Sequence, residues 1–315
     1  MSLKFLLKMA SPAGAQGRLS VLIFHRVLAQ VDSLFPDEMH ARQFDALCGW
    51  LKHWFNVLPL DAAVAHLKIG TLPERAASIS FDDGYADNLT VAVPILQRHG
   101  LTATFFIATG FLDGGRMWND TIIAAVRGCT ADTLDLEPLG LGCHPLKSVE
   151  DRRKAITALI DQIKYRPIEE RLAIGTRMAD LAASQMPDDL MMTSDQVLAI
   201  HRAGMQIGAH TVSHPILARL DDTQARQEIE DSKRFLERLL GERVGLFAYP
   251  NGKPGEDYLP RSVGIVRSVG FDAAVSTAWG ASRAGDDLLQ IRRFTPWDTS
   301  RLRFGARMLA NLRQA

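Results

Sequence analysis

The stretch SISFDDGYADN, residues 78–88, sets an apolar β-prone run against two adjacent carboxylates, Asp82 and Asp83, followed by a glycine and the start of a helical pattern. Strand, turn and helix in such close succession form the repeating unit of a parallel sheet, because a parallel partner is reached only through a crossover. The unit recurs. Further β-rich runs lie at LSVLIF (19–24), ATFFIAT (103–109), MQIGAH (205–210), GLFAYP (245–250), AAVST (273–277) and LLQIRRF (288–294). Between them apolar residues recur at three and four over 41–54, 87–99, 195–202, 223–240 and 261–269, the spacing of amphipathic helices. About seven such repeats predict an α/β fold whose parallel strands close, or nearly close, into a β/α barrel. Residues 110–187 break the rhythm: they carry helical patterns at 148–164 and 168–184 and no convincing strand. They read as a mostly helical insertion in a single domain spanning 1–315.

Composition narrows the function. Lys plus Arg equals Asp plus Glu, 36 against 36, so no overall field draws nucleic acid or an anionic membrane. Three cysteines, Cys48, Cys129 and Cys143, are too far apart for a metal knuckle, and their odd number argues against a disulfide framework. No apolar run reaches the length of a membrane span, and the segment MSLKFLLKMASPAGAQ has only a stub of apolar sequence between two lysines. The expectation is a soluble, cytoplasmic protein acting on a neutral or weakly charged substrate. Nothing in the sequence fixes its oligomeric state.

In parallel β/α architectures functional groups gather where the strands end and the βα loops converge. His25 follows the first run, Asp82 and Asp83 the second, His210 and His214 the fourth, the AYPNG turn (248–252) the fifth, and Arg292 and Arg293 belong to the last. His210 and His214 are spaced i and i+4, which on a helical turn would aim both imidazoles at one cation. Two imidazoles and one carboxylate make a three-ligand centre with open positions, as hydrolytic metals require. Of the two aspartates, one can bind the cation and the other can take a proton from water. Within AYPNG, Tyr249 reads as an exposed aromatic, and backbone N–H groups around Pro250 and Asn251 are candidates for stabilising an oxyanion.

At these motifs the sequence resembles the polysaccharide deacetylase superfamily, carbohydrate esterase family four, from about residue 20 to 294 without the insertion. The resemblance implies a distorted (β/α)7-type barrel and removal of N-acetyl groups from N-acetylglucosamine-type sugars, or of acetyl esters. SFDDG is similar to the family's first motif, which makes Asp82 the general base and Asp83 a metal ligand. HTVSH is similar to the second, which makes His210 and His214 ligands of a divalent metal, zinc first among them. Two departures stand out. Ala248 replaces the arginine that opens the third motif, and LLQIRRF lacks the histidine of a late LxH motif. A circularly permuted subgroup, the poly-N-acetylglucosamine deacetylases, carries the equivalent of that late element on its first strand, in a segment similar to VLIFHRV. That implies His25 as general acid and Arg293 as partner of Asp82. Trp118, Trp279 and Trp297 offer flat faces for sugar rings, Trp118 being the first candidate, alongside Tyr249, Pro250 and Asn251, to bind an N-acetylated glycan. Two other readings use the same residues: a carbohydrate-binding protein without turnover, and a deacylase of O-acetyl, imide or amide substrates.

Overall fold

Side chains alternate across a strand, so the residues of each strand divide into an inner and an outer set. The computed structural model of the protein describes residues 2–314. Its seven barrel strands are β1 (Arg18–Phe24), β2 (Ala76–Phe81), β3 (Thr104–Ile107), β4 (Gln206–Ala209), β5 (Leu246–Ala248), β6 (Ala273–Val275) and β7 (Arg293–Phe294). Neighbours from β1 to β6 pair in parallel in this order. A single parallel bridge, Val275 to Ile291, leads from β6 towards β7, and β7 pairs in parallel with β1. The ring is therefore nearly closed, a distorted (β/α)7 barrel.

Leu19, Val21, Ala76, Phe106, Leu246, Ala248, Ala273, Val275 and Ile291 form the inner apolar cluster. Residues of the opposite parity, such as Leu22, Phe24, Ile79, Phe81, Phe105, Ile107, Phe247 and Phe294, join the outer core beneath the helices. Space inside is tight. A Cβ at Gly208 would stand 2.4 Å from the Phe106 ring, so the inward position on β4 must be glycine for that phenylalanine to fit. The helix Leu60–Ile69 contributes Leu60, Ala63, Val64 and Leu67 to the same inner cluster.

The surrounding helices follow their apolar spacing. Ala41–Trp54 buries Phe44, Leu47, Cys48, Leu51 and Trp54. Asp222–Leu240 starts in a capping box between Asp221 and Gln224 and ends on Gly241 in the left-handed conformation. The pattern at 87–99 is not one α-helix: Asn88–Ala92 is a π-turn, and only Val93–His99 is α-helical. The last run is also shorter than its sequence predicts. Residues Leu288–Gln290 form a 3₁₀ turn because the Asp287 carboxylate accepts from the Leu289 N–H, leaving Arg293–Phe294 as strand.

A second compact unit comprises residues 31–38 and 113–191. Its helices Trp118–Gly128, Val149–Ile163 and Ile168–Leu181 bury Ile122, Val126, Leu159, Ile163 and Met178 in a core of their own. It also holds strand, contrary to the sequence reading: Thr133–Asp135 pairs antiparallel with Cys143–Pro145. Such three-residue strands are too short to show an alternation. No helix among the described residues is long and apolar enough to cross a membrane.

Candidate active site

Parity explains which groups meet at the mouth of the barrel. Asp82 continues the inward series Ala76, Ser78, Ser80 on β2, His210 continues Gln206 and Gly208 on β4, and Arg293 continues Ile291 on β7. All three are buried. Arg293 donates to both oxygens of Asp82, at 2.7 and 2.8 Å, and its remaining donors reach the Ser276 carbonyl at 2.8 Å and Ser80 Oγ at 3.3 Å. Burial would raise the Asp82 carboxyl, but the charge of Arg293, the nearby imidazoles and the bidentate hydrogen bonds outweigh it and hold the group below its ordinary value. Ala248 has room to matter here. Its small side chain lies in the inner cluster, and the arginine that reaches the aspartate comes from β7 instead.

Asp83, one residue on, has left the strand with φ +80°, and Gly84 follows at φ +95°, completing a turn that a β-branched residue would not tolerate. Its Oδ1 lies 3.4 Å from His210 Nε2 and 3.5 Å from His214 Nε2, and the three donor atoms fall within 4.8 Å of one another. The histidines converge without the helical turn that their spacing suggests. Thr211 and His214 both take positive φ in a loop, 65° and 53°, and the loop is held by Glu228, which accepts from the Val212 and Ser213 N–H groups at 2.9 Å and from Ser213 Oγ at 2.6 Å. Glu228 sits on an outer helix, and nothing in its local sequence singles it out.

His210 Nδ1 meets the Ala248 carbonyl at 2.8 Å; a carbonyl only accepts, so in the neutral ring the proton is on Nδ1 and Nε2 presents a lone pair. Burial pushes His214 down to about 4, which keeps it neutral. Asp83 Oδ1 is buried without a hydrogen-bond partner among the described residues. The Nε2 atoms of two histidines thus face an orphaned carboxylate oxygen. A tetrahedral zinc with bonds of about 2.0–2.1 Å would space its ligands by about 3.3 Å, close to the two separations seen here. The donor set fits a divalent cation.

Other expectations fare differently. Tyr249 is not exposed: its parity is that of Phe247, so it turns outward, stacks on Tyr258 with ring centroids 3.9 Å apart and donates to the Leu289 carbonyl. It cannot offer a face to substrate. Its N–H is committed to the Val275 carbonyl, Pro250 is buried and has no N–H, and Asn251, exposed at φ 57°, keeps a backbone N–H without a partner among the described residues. Trp118 belongs to the second unit, where Arg171 lies over its ring at 5.2 Å. Trp279 and Trp297 are exposed. His25 is exposed at the end of β1 in the inward parity of Leu19 and Val21.

A parallel barrel with a carboxylate–arginine pair and an Asp/His/His cluster at the strand ends is the arrangement of a candidate α/β enzyme site. The profile of the polysaccharide deacetylase family matches residues 69–133 and 150–274, and the chain belongs to that family, whose chemistry is hydrolytic deacetylation. YxkH of Bacillus subtilis is 20% identical over 278 residues, 88% of this chain and 70% of its own. Among solved structures, IcaB from Ammonifex degensii superposes with a TM-score of 0.63 at 18% identity, covering 95% of this chain and 98% of that one. Streptococcus pyogenes deacetylase PplD, solved in complex with acetate, gives 0.59 at 18% identity over 89% and 92%. At such identity these two structures bear on the fold.

Proposed function

We propose that the protein is a divalent-metal-dependent hydrolase that removes N-acetyl groups from an N-acetylglucosamine-type polysaccharide, oligosaccharide or glycolipid. One observation carries the reading: a carboxylate kept ionised by a bidentate arginine stands 4.0 Å from the buried imidazole of His210 in a cation-shaped Asp/His/His cluster. Family membership supports it, and the acetate bound to the streptococcal deacetylase is the acid that such a hydrolysis releases.

Asp83, His210 and His214 would hold the cation, zinc or another first-row divalent ion according to supply. When bound, it supplies a Lewis acid for the acetyl carbonyl and makes a nearby water more acidic. Asp82 takes one proton from the attacking water as the new C–O bond forms, and Arg293 fixes the direction of its oxygens. The Asn251 N–H is the backbone donor left to meet the developing oxyanion. His25 returns a proton to the nitrogen as the C–N bond breaks, so the products are acetate and a free amine. Acetate release from N-acetylglucosamine oligomers by zinc-loaded protein, abolished by a chelator and restored by metal, is the expected result. Zinc-loaded protein that releases no acetate from these oligomers while cleaving O-acetyl or imide substrates would overturn the choice of acyl group.

A further inference from the structure

The loop that presents His25 is held by the far end of the stretch that begins with the catalytic aspartates. Three consecutive residues after β1 are tied down by two side chains. Asn88 Nδ2 donates to the His25 carbonyl at 2.9 Å. Asp87 Oδ2 accepts from Arg26 Nε at 2.7 Å and pairs with its terminal nitrogen at 2.7 Å. Asp87 Oδ1 accepts the Val27 N–H at 3.2 Å and receives Asn88 Nδ2 at 3.3 Å. A main-chain bond from Asp82 N–H to the Phe24 carbonyl, 2.9 Å, closes the connection at the other end. Asn88 is fully buried, and the Asp87 side chain is 12% exposed. The cation of Arg26 also lies 4.7 Å from the centre of the Tyr85 ring, within the same stretch.

This arrangement costs free energy. Burial raises the Asp87 carboxyl above its ordinary value despite Arg26 and the hydrogen bonds, and the helix that follows opens in a π-turn, a form uncommon except at functional sites. Its effect is mechanical: base and acid sit on different strands, and Asp87 with Asn88 fixes the main chain of one relative to the turn of the other.

We infer that Asp87 and Asn88 are positioning residues for His25, setting the distance between the proton donor and the Asp82/Asp83 turn. The inference rests on the reading of His25 as general acid. An error of about 1 Å in such a placement is enough for a hundredfold loss of rate.

The test is a cycle of Asn88→Ala and Asp87→Asn, each made in the native and the His25→Ala backgrounds, with acetate release and zinc content measured on metal-loaded protein. Positioning through His25 predicts a fall in kcat of about ten- to a hundredfold in the native background. KM and zinc content should be unchanged, and little further loss should appear where His25 is already alanine, since residues acting as a unit are non-additive. Equal losses in both backgrounds, or none in the native one while His25→Ala is severe, would overturn the positioning role and leave the acid intact. Full activity of His25→Ala would overturn both. Hydrogen–deuterium exchange of the 24–28 segment gives a readout independent of turnover. Exchange at Val27 should rise in Asp87→Ala, and an unchanged rate refutes the clamp even if no acetate is released by any form.

Discussion

Two halves of one site, the Asp82–Arg293 pair and the Asp83/His210/His214 cluster, lie side by side and are finished to different degrees. In the pair both carboxylate oxygens are engaged, and the arginine reaches three partners from inside the barrel. In the cluster an oxygen is orphaned and the Nε2 atoms of two histidines face it at 3.4 and 3.5 Å. The pair is satisfied within the polypeptide alone, whereas the cluster leaves a buried Asp83 oxygen unpartnered among the described residues, as a cation site would. Different residues should therefore answer for catalysis, for stability and for metal.

The largest effect is expected from Asp82→Asn, which removes the proton acceptor and leaves the cluster untouched. Activity should fall by about 10²–10⁴-fold with zinc content unchanged. A variant that also loses its zinc would show that pair and cluster are one unit, and the comparison would break. Arg293→Ala addresses the pair's own stability. It leaves a buried carboxylate without its counter-charge, a change of about 3–5 kcal/mol, visible as a lower urea midpoint. Adding Asp82→Asn to that variant should recover much of the loss, because the uncompensated charge is then gone. Zinc itself should stabilise the protein by about 2.7 kcal/mol at a concentration one hundred times its dissociation constant. That increment should vanish in Asp83→Ala, His210→Ala and His214→Ala and persist in Asp82→Asn, with thermal unfolding as the readout.

How far the sequence shows this site depends on periodicity. The strands β1 to β6 all lie in β-rich runs legible in the sequence, and with them the end-of-strand positions of His25, Asp82 and His210. Period-two parity was also present in the sequence and decides the fate of Tyr249: one residue after inward Ala248, it had to point outward. The convergence of His214 was legible only as an interval. Its cause, two left-handed residues flanking a segment that Glu228 pins from an outer helix, is tertiary and leaves no local trace. Arg293 could be placed against Asp82 only through the family resemblance, because the local pattern does not show that the ring brings β7 beside β1 and β1 beside β2. Trp118 carried no positional signal at all. A lone tryptophan in a helical pattern reads the same whether it lines a groove or packs in a core, and this one joins the core of the second unit.

The smallest effect expected is a pH dependence of metal binding, and it shows how strongly the two halves feel each other. Without metal, burial disfavours the His210 imidazolium, but the carboxylates of Asp82 and Asp83 overcome it and hold the group above its ordinary value of 6.5. Asp83 is held well below the carboxylate range, where its interaction with the His210 imidazolium outweighs its burial, and His214 is neutral, so neither binds a proton near neutrality. A cation entering the cluster at or below the His210 pKa must therefore displace one proton, from His210. Affinity should fall by about tenfold for each pH unit below that pKa and level off above it. Asp82→Asn removes one of the two charges that sustain the imidazolium across 4.0 Å, so its levelling-off point should move to lower pH. Zinc titrations of the two proteins between pH 6 and 8 read this directly. Coincident profiles would mean that Asp82 exerts no charge on the cluster, and that pair and cluster are electrostatically as separate as their hydrogen bonding makes them.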